Sequence, residues 1–308
     1  MLPAYITHAD CARHEMGPDH PECPERLGAI NDMLLTKGLL DYMHPYYAPL
    51  ATTQQLAHAH SSRYVAELMD ASPAAGYHRV DPDTEMNPFT VQAALRAAGA
   101  VVQATDLVVS GEAPSAFCCV RPPGHHAERA AAMGFCFFNN VAVGIRHALT
   151  EHGIQRVALI DFDVHHGNGS EDILRGDERV LMCSIFEKGI YPFSGESATG
   201  PNMVNVGLPS RSGSTAFRAA VTNRWIPALD AFAPELVYIS AGFDGHREDD
   251  MGNLGLVESD YEWVTQQIMA VARRHCKGRV ISCLEGGYAL SPLARSVAAH
   301  VKVLIGAD

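Results

Sequence analysis

Residues 156–169 read RVALIDFDVHHGNG, and the fold turns on how this stretch is read. Its first half, RVALIDF (156–162), is an apolar run with no polar alternation, the pattern of a strand buried on both faces. It closes on Asp161, Asp163 and His165, at every second position. Asp is a poor strand former and is rarely buried unpaired. An N-cap needs one such carboxylate, not a row. Residues at i, i+2 and i+4 of a strand share a face, so the three side chains project together just ahead of the turn formers GNG. Two oxygen ligands and an imidazole suit a zinc-like divalent ion, and a catalytic zinc takes three protein ligands and leaves a position open.

Working outward, further unbroken runs read as buried strands: AFCCV (116–120), RVLMCSI (179–185), LVYIS (236–240) and RVISCLE (279–285). Helical patterns cover 90–110, 139–152, 215–231, 259–276 and 290–305. Strands without alternation, separated by helices, predict βαβ units around a mainly parallel sheet covered on both faces, an α/β class. No repeat or linker divides the chain, so residues 1–308 read as one domain.

Ligands of such sheets bind at the carboxyl ends of the strands, and that is where the other polar clusters fall. VRPPGHHAER (120–129) presents His125 and His126 from a rigid Pro-Pro-Gly turn. Neighbouring side chains of an extended chain diverge, so these two rarely share one metal; they can line one pocket in two roles, a general base among them, or stand as two surface histidines. In VYISAGFDGHREDD (237–250), Asp244 follows its strand by four residues and could complete a metal site. In SCLEGGY (282–288), two glycines allow a sharp turn before Tyr288, whose phenol could donate to a developing oxyanion.

The chain of 308 residues has a formal charge of -12, with 47% hydrophobic and 19% charged residues. An acidic surface argues against non-specific nucleic-acid binding. No signal-peptide pattern opens the chain and no stretch reads as a membrane span, so neither nucleic acid nor membrane is an expected partner. The 8 cysteines are scattered, which reads as a reduced, cytoplasmic protein. Cys11, His14, His20 and Cys23 have ligand-like spacing, but the turn at Gly17–Pro18 and the short arms favour a loop over a structural zinc site.

RPPGHHA, GFCFFNN (134–140), DFDVHHGNG, SAGFD and LEGGY, in that order and preceded by HPECPERL (20–27), resemble the zinc-dependent histone deacetylase superfamily, its class II and bacterial branches in particular. The resemblance covers about residues 5–305. It implies a single three-layer α/β/α domain with a central, mainly parallel sheet, the arginase/deacetylase fold. It also implies metal-dependent hydrolysis of an acetyl amide. By this resemblance Asp163, His165 and Asp244 bind zinc, or iron(II) in the cell, and Asp161 holds His125 instead. His126 is the general base, His125 its charge-stabilising partner, and Tyr288 polarises the acetyl carbonyl. Asp161, Asp163, His165, Ser184 and Ile185 match a structural potassium site, and Leu174, Asp177 and Val180 a second. Gly134, Phe135 and Tyr191 line an alkyl channel.

The sequence also departs from the pattern. GIYPFSG (189–195) puts Tyr191, with Ile190 beside it, where two phenylalanines are usual. Asn168 stands where class I enzymes place an aspartate. Met251 stands at the channel mouth, where acetylpolyamine-selective relatives carry a glutamate, and the flanking Glu248–Asp250 reads as a solvated acidic loop. The expected substrate is an N-ε-acetyl-lysine peptide, with acetylated polyamines or other small N-acyl amines as the alternative; homo-oligomerisation is left open. Arginase-like hydrolysis on two manganese ions would need more aspartates than this chain offers. A non-catalytic acetyl-lysine reader would not need Tyr288.

Overall fold

A computed structural model describes residues 1–307. Ten strands occur: β1 (Ala4–Thr7), β2 (His44–Tyr47), β3 (His78–Asp81), β4 (Thr84–Met86), β5 (Ser115–Cys118), β6 (Val157–Asp161), β7 (Val180–Glu187), β8 (Met203–Leu208), β9 (Leu236–Ala241) and β10 (Val280–Leu284). Eight of them form one all-parallel sheet in the order β2-β1-β5-β10-β9-β6-β7-β8, and β3 with β4 makes a separate antiparallel hairpin. The central strands β5, β6, β9 and β10 are buried along their whole length, as their unbroken apolar runs require.

Helices cover both faces. Tyr238 of β9 points to one side, where its hydroxyl meets Thr105 at 2.7 Å and donates to the Gly144 carbonyl at 3.0 Å, joining helices Thr90–Ser110 and Asn140–Glu151. On the other side Ser282 of β10 meets His300 of helix Leu290–Leu304 at 2.8 Å. That helix packs between helices Glu25–Thr36 and Glu258–His275.

Three expectations need correction. Helix Thr90–Ser110 is long and apolar enough to cross a membrane by length and composition. Its apolar side chains are spent inside the protein, however: Ala97, Ala98, Val101 and Val108 are buried, and the helix packs on β1, β5 and β10. The single helix expected over 215–231 is helix Ser214–Ala220, a wide turn at Val221–Trp225, then helix Ile226–Phe232. Pro227 has no N–H to donate, and the ladder slips there, with Ile226 N–H reaching the Val221 carbonyl. Third, β6 ends at Asp161, so Asp163 and His165 lie beyond the strand in a bent segment.

The N-terminal segment is tied to the sheet by charge. Glu22, Arg26 and Arg121 are fully buried. Arg121 donates from Nη2 to Glu22 Oε2 at 2.6 Å and from Nη1 to the carbonyls of Cys11 and His14 at 2.9 and 3.0 Å. Arg26 donates to Glu22 Oε1 at 2.9 Å and to the Gly287 carbonyl at 2.6 Å. Burial opposes the Glu22 charge, but Arg121, His14 and Arg26 outweigh it and hold the carboxyl well below its usual range. His14 turns its Nδ1 to Thr90 at 2.8 Å and its Nε2 toward Glu22 at 3.4 Å, both within the protein interior. Because Arg121→Met would strand a buried carboxylate, it should cost about 3–5 kcal/mol of stability, read as a lowered urea midpoint with unchanged slope.

Candidate active site

At the carboxyl ends of β5, β6, β9 and β10 the four clusters meet. Asp163 Oδ1 and Asp244 Oδ2 both lie 3.1 Å from His165 Nδ1, so two carboxylates and one imidazole nitrogen face a common point. All three residues are buried, and one ligand atom from each lies within 4.8 Å of the others. Backbone donors orient the carboxylates: Gly286 N–H on Asp163 Oδ2 and Val164 N–H on Asp244 Oδ1, each at 2.9 Å. Only glycine fits at 286, since a Cβ there would stand 2.1 Å from Asp244 Oδ2. Burial raises the Asp244 carboxyl to about 7, with Asp163 adding to the effect, while His165 rises well above the ordinary imidazole value on its two carboxylates, against its burial. A buried cluster that asks for positive charge, with two hard oxygens and one nitrogen converging, fits zinc.

Asp161 faces the other way. Its Oδ2 lies 3.0 Å from His125 Nδ1. Burial works against a charged imidazole, but Asp163 and Asp161 outweigh it and push His125 up to about 10. The loop under His125 hangs on Glu285, whose Oε2 accepts the Gly124 and His125 N–H groups at 2.7 and 3.1 Å. His126 has a different partner. Its Nδ1 meets Asn168 Oδ1 at 2.8 Å, and Asn168 Nδ2 in turn donates to Glu128 Oε1 at 2.9 Å. That second bond fixes the amide, so the His126 proton sits on Nδ1 and Nε2 carries the lone pair. Burial, then the positive His125 and His165, lower His126 well below the ordinary imidazole value.

A cavity of about 110 Å³ opens over these groups, lined by His126, Gly134, Phe135, His165, Tyr191, Met251 and Tyr288, with Asp83 as well. Gly134, Phe135, Tyr191 and Met251, expected from the sequence to line a channel, all border this cavity. Ile190 instead packs against the core. Phe135 meets the Tyr288 ring edge-on at 5.8 Å, and Tyr191 meets His126 edge-on at 5.1 Å. Gly134 is left-handed at φ +55, and a Cβ there would stand 2.6 Å from the His126 ring. Burial, then Asp244, push the Tyr288 phenol well above its usual range, so it keeps its proton as a donor.

Among the residues matched to potassium, Asp161 and Ser184 stand opposite each other in the β6–β7 register, with Ile185 next along β7. Ser184 Oγ also meets His166 Nδ1 at 3.0 Å. The carbonyls of Leu174, Asp177 and Val180 converge too, but on the side-chain nitrogen of Asn202.

Sequence reasoning missed several members. Asp83 arrives from the tight turn between β3 and β4, and no pattern marks it. Glu285 and Glu128 sit inside quoted motifs without a role. Asp249 corrects an expectation: Glu248 and Asp250 are exposed, but Asp249 is buried, and its Oδ2 accepts the N–H groups of Tyr288 and Ala289 at 2.6 and 2.9 Å. The signal was available only as an acidic residue in an otherwise solvated run.

Comparison with known proteins agrees with this geometry. Residues 20–304 match the histone deacetylase domain profile. The chain belongs to the histone deacetylase family. A probable deacetylase of Archaeoglobus fulgidus is 33% identical over 94% of this chain and 82% of its own length. The polyamine deacetylase HDAC10 of Mus musculus is 36% identical over 98% of this chain, which spans 48% of that protein. Curated relatives range from proteins of its own length to one of which it spans only 14%. The HDA15 HD domain superposes with a TM-score of 0.92 at 33% identity, covering 99% of this chain and 88% of that one. As a family member this histone deacetylase homologue is a deacetylase, a hydrolase of linear amides, and family membership implies metal-dependent catalysis.

Asp249 touches neither the metal-facing carboxylates nor the cavity, and holds the backbone on which Tyr288 stands. Asp249→Asn should lower kcat by about 10²-fold through misplacement of the phenol, with KM little changed and the thermal midpoint near that of wild type. Steady-state kinetics beside a melting curve check it.

Proposed function

We propose that the protein removes the acetyl group from N-ε-acetyl-lysine side chains, with zinc held by Asp163, His165 and Asp244. The observation that carries the substrate reading is the wall of the cavity: Met251 presents a thioether where a carboxylate would be needed to select a second ammonium group. Phe135, Tyr191 and Gly134 enclose a narrow passage suited to an aliphatic chain.

An ion at that centre supplies Lewis acidity toward the acyl oxygen and lowers the pKa of water beside it. The chain's own groups do the rest. Nε2 of His126 accepts the proton of the attacking water and later returns it to the leaving amine. Tyr288 donates its phenolic proton in a hydrogen bond to the developing oxyanion. His125, held by Asp161, adds fixed positive charge beside that centre. The same donor types accept iron(II), so the metal follows availability. We extend the proposal to one structural potassium ion on Asp161, Asp163, His165, Ser184 and Ile185; the opposed positions of Asp161 and Ser184 support it.

Small acetylated amines are the second reading. Asp83 lines the cavity and offers a carboxylate to a cationic substrate, and one relative is named a polyamine deacetylase. Catalytic efficiency on an acetyl-lysine peptide, acetylputrescine and acetylspermidine, measured side by side on the zinc-loaded enzyme, separates the two. The peptide should be preferred, and a higher kcat/KM on acetylspermidine would reverse the assignment. His126→Ala and Tyr288→Phe controls should each lose about two or more orders of magnitude on the preferred substrate.

The Asn168 partner also sets a pH limit. His126 works as the neutral base, and its lowered pKa places the acid limb of kcat/KM below the ordinary imidazole value of about 6.5. A carboxylate partner would favour the charged imidazole and raise that pKa. Asn168→Asp, combined with Glu128→Gln so that two carboxylates do not face each other, should therefore move the acid limb to higher pH. An unmoved limb in the pH–rate profile would dismiss the Asn168 role.

A further inference from the structure

The loop leading from helix Asn168–Leu174 into β7 turns the carbonyl oxygens of Leu174, Asp177 and Val180 toward one another. The Leu174 and Asp177 oxygens already accept the Asp177 and Val180 N–H groups at 3.3 and 2.9 Å, and three carbonyl dipoles aimed at one point still leave lone pairs that favour a cation or a further donor. Here Asn202 Nδ2 lies 3.0, 3.3 and 3.1 Å from these oxygens in that order. At its other end Asn202 Oδ1 accepts the Gly176 N–H at 2.9 Å. Reversing the amide would set an oxygen against three oxygens and an NH2 against an N–H, so its orientation is fixed. The residue itself is anchored, since its backbone carbonyl accepts Met182 N–H at 2.9 Å.

We propose that the Asn202 side-chain amide stands in for a monovalent cation at these three carbonyls, so that this chain has no second potassium site. The donor set does not fit an ion there: a cation touching all three oxygens competes with the amide for them. The neighbouring side-chain charges are already paired. Arg146 donates to the neighbouring Ile173 carbonyl at 2.6 Å and to the Asp177 carboxylate, and Arg179 donates to that carboxylate at 3.0 and 2.9 Å. With Glu178 in the same loop and Asp172 paired to Arg175, the charges around the carbonyls balance, and a neutral amide keeps that balance. The loop that follows helix Asn168–Leu174 is thereby closed by protein atoms alone.

The test uses rubidium, a heavier stand-in for potassium, soaked into crystals of the wild-type protein and located by its anomalous signal. No rubidium peak is expected in contact with the Leu174, Asp177 and Val180 oxygens, and a peak there overturns the proposal. In solution, Asn202→Gly should melt several degrees below wild type in choline chloride. Potassium chloride at equal ionic strength should return at least half of that loss, beyond any response of the wild type. A variant as stable as wild type in choline, or one whose loss potassium leaves untouched, also counts against the amide as a cation substitute. If Asn202→Gly does not fold, the wild-type crystals decide alone.

Discussion

Two guanidinium groups and one carboxylate lie together away from solvent, and the placement of the site rests on that trio. Glu22 comes from the N-terminal segment, Arg121 from the end of β5, and Arg26 from the first long helix. None of them could be buried alone at tolerable cost. Joined, they clamp the segment before the histidine pair to the turn before Tyr288, because Arg26 also holds the Gly287 carbonyl. The motif HPECPERL is thus structural chemistry in large part: its Glu22 and Arg26 are a brace, and its His20 backs Phe135 of the cavity wall.

Around that brace the site divides labour by burial and partner. Asp161 and Asp163 are two residues apart, yet one faces His125 and the other the proposed metal centre. His125 and His126 are adjacent, yet the first leans on a carboxylate and is driven toward its charged form, while the second leans on a neutral amide and stays free to accept a proton. Two pairs of identical side chains acquire opposite characters from their second partners. The family's chemistry needs that inequality.

Much of this was legible in the sequence because buried parallel strands write unbroken apolar runs, and their carboxyl ends are where ligands gather. The runs at 116–120, 156–162, 179–185, 236–240 and 279–285 fall on central or near-central strands for that reason. The edge strands β2 and β8, and the four-residue β1 beside β2, are short or partly exposed, and carry too little apolar pattern to announce themselves. Spacing placed Asp161, Asp163 and His165 together but could not sort them, since the sorting depends on His125, some forty residues earlier in the chain, and Asp244, some eighty later. Asp249 and Asn202 were out of reach altogether. An acidic residue in a polar loop and an asparagine after a proline look solvated until the tertiary structure turns backbone groups toward them.

Asp249 holds more than the tyrosine. Its second oxygen, Oδ1, accepts the N–H of Met251 at 3.0 Å while Oδ2 holds Tyr288 and Ala289. One carboxylate therefore spans two residues of the cavity wall, Met251 and Tyr288. Because the anchor grips backbone N–H groups, a non-proline replacement at 251 leaves it in place, so the cavity wall can be redrawn without loosening the turn that carries Tyr288.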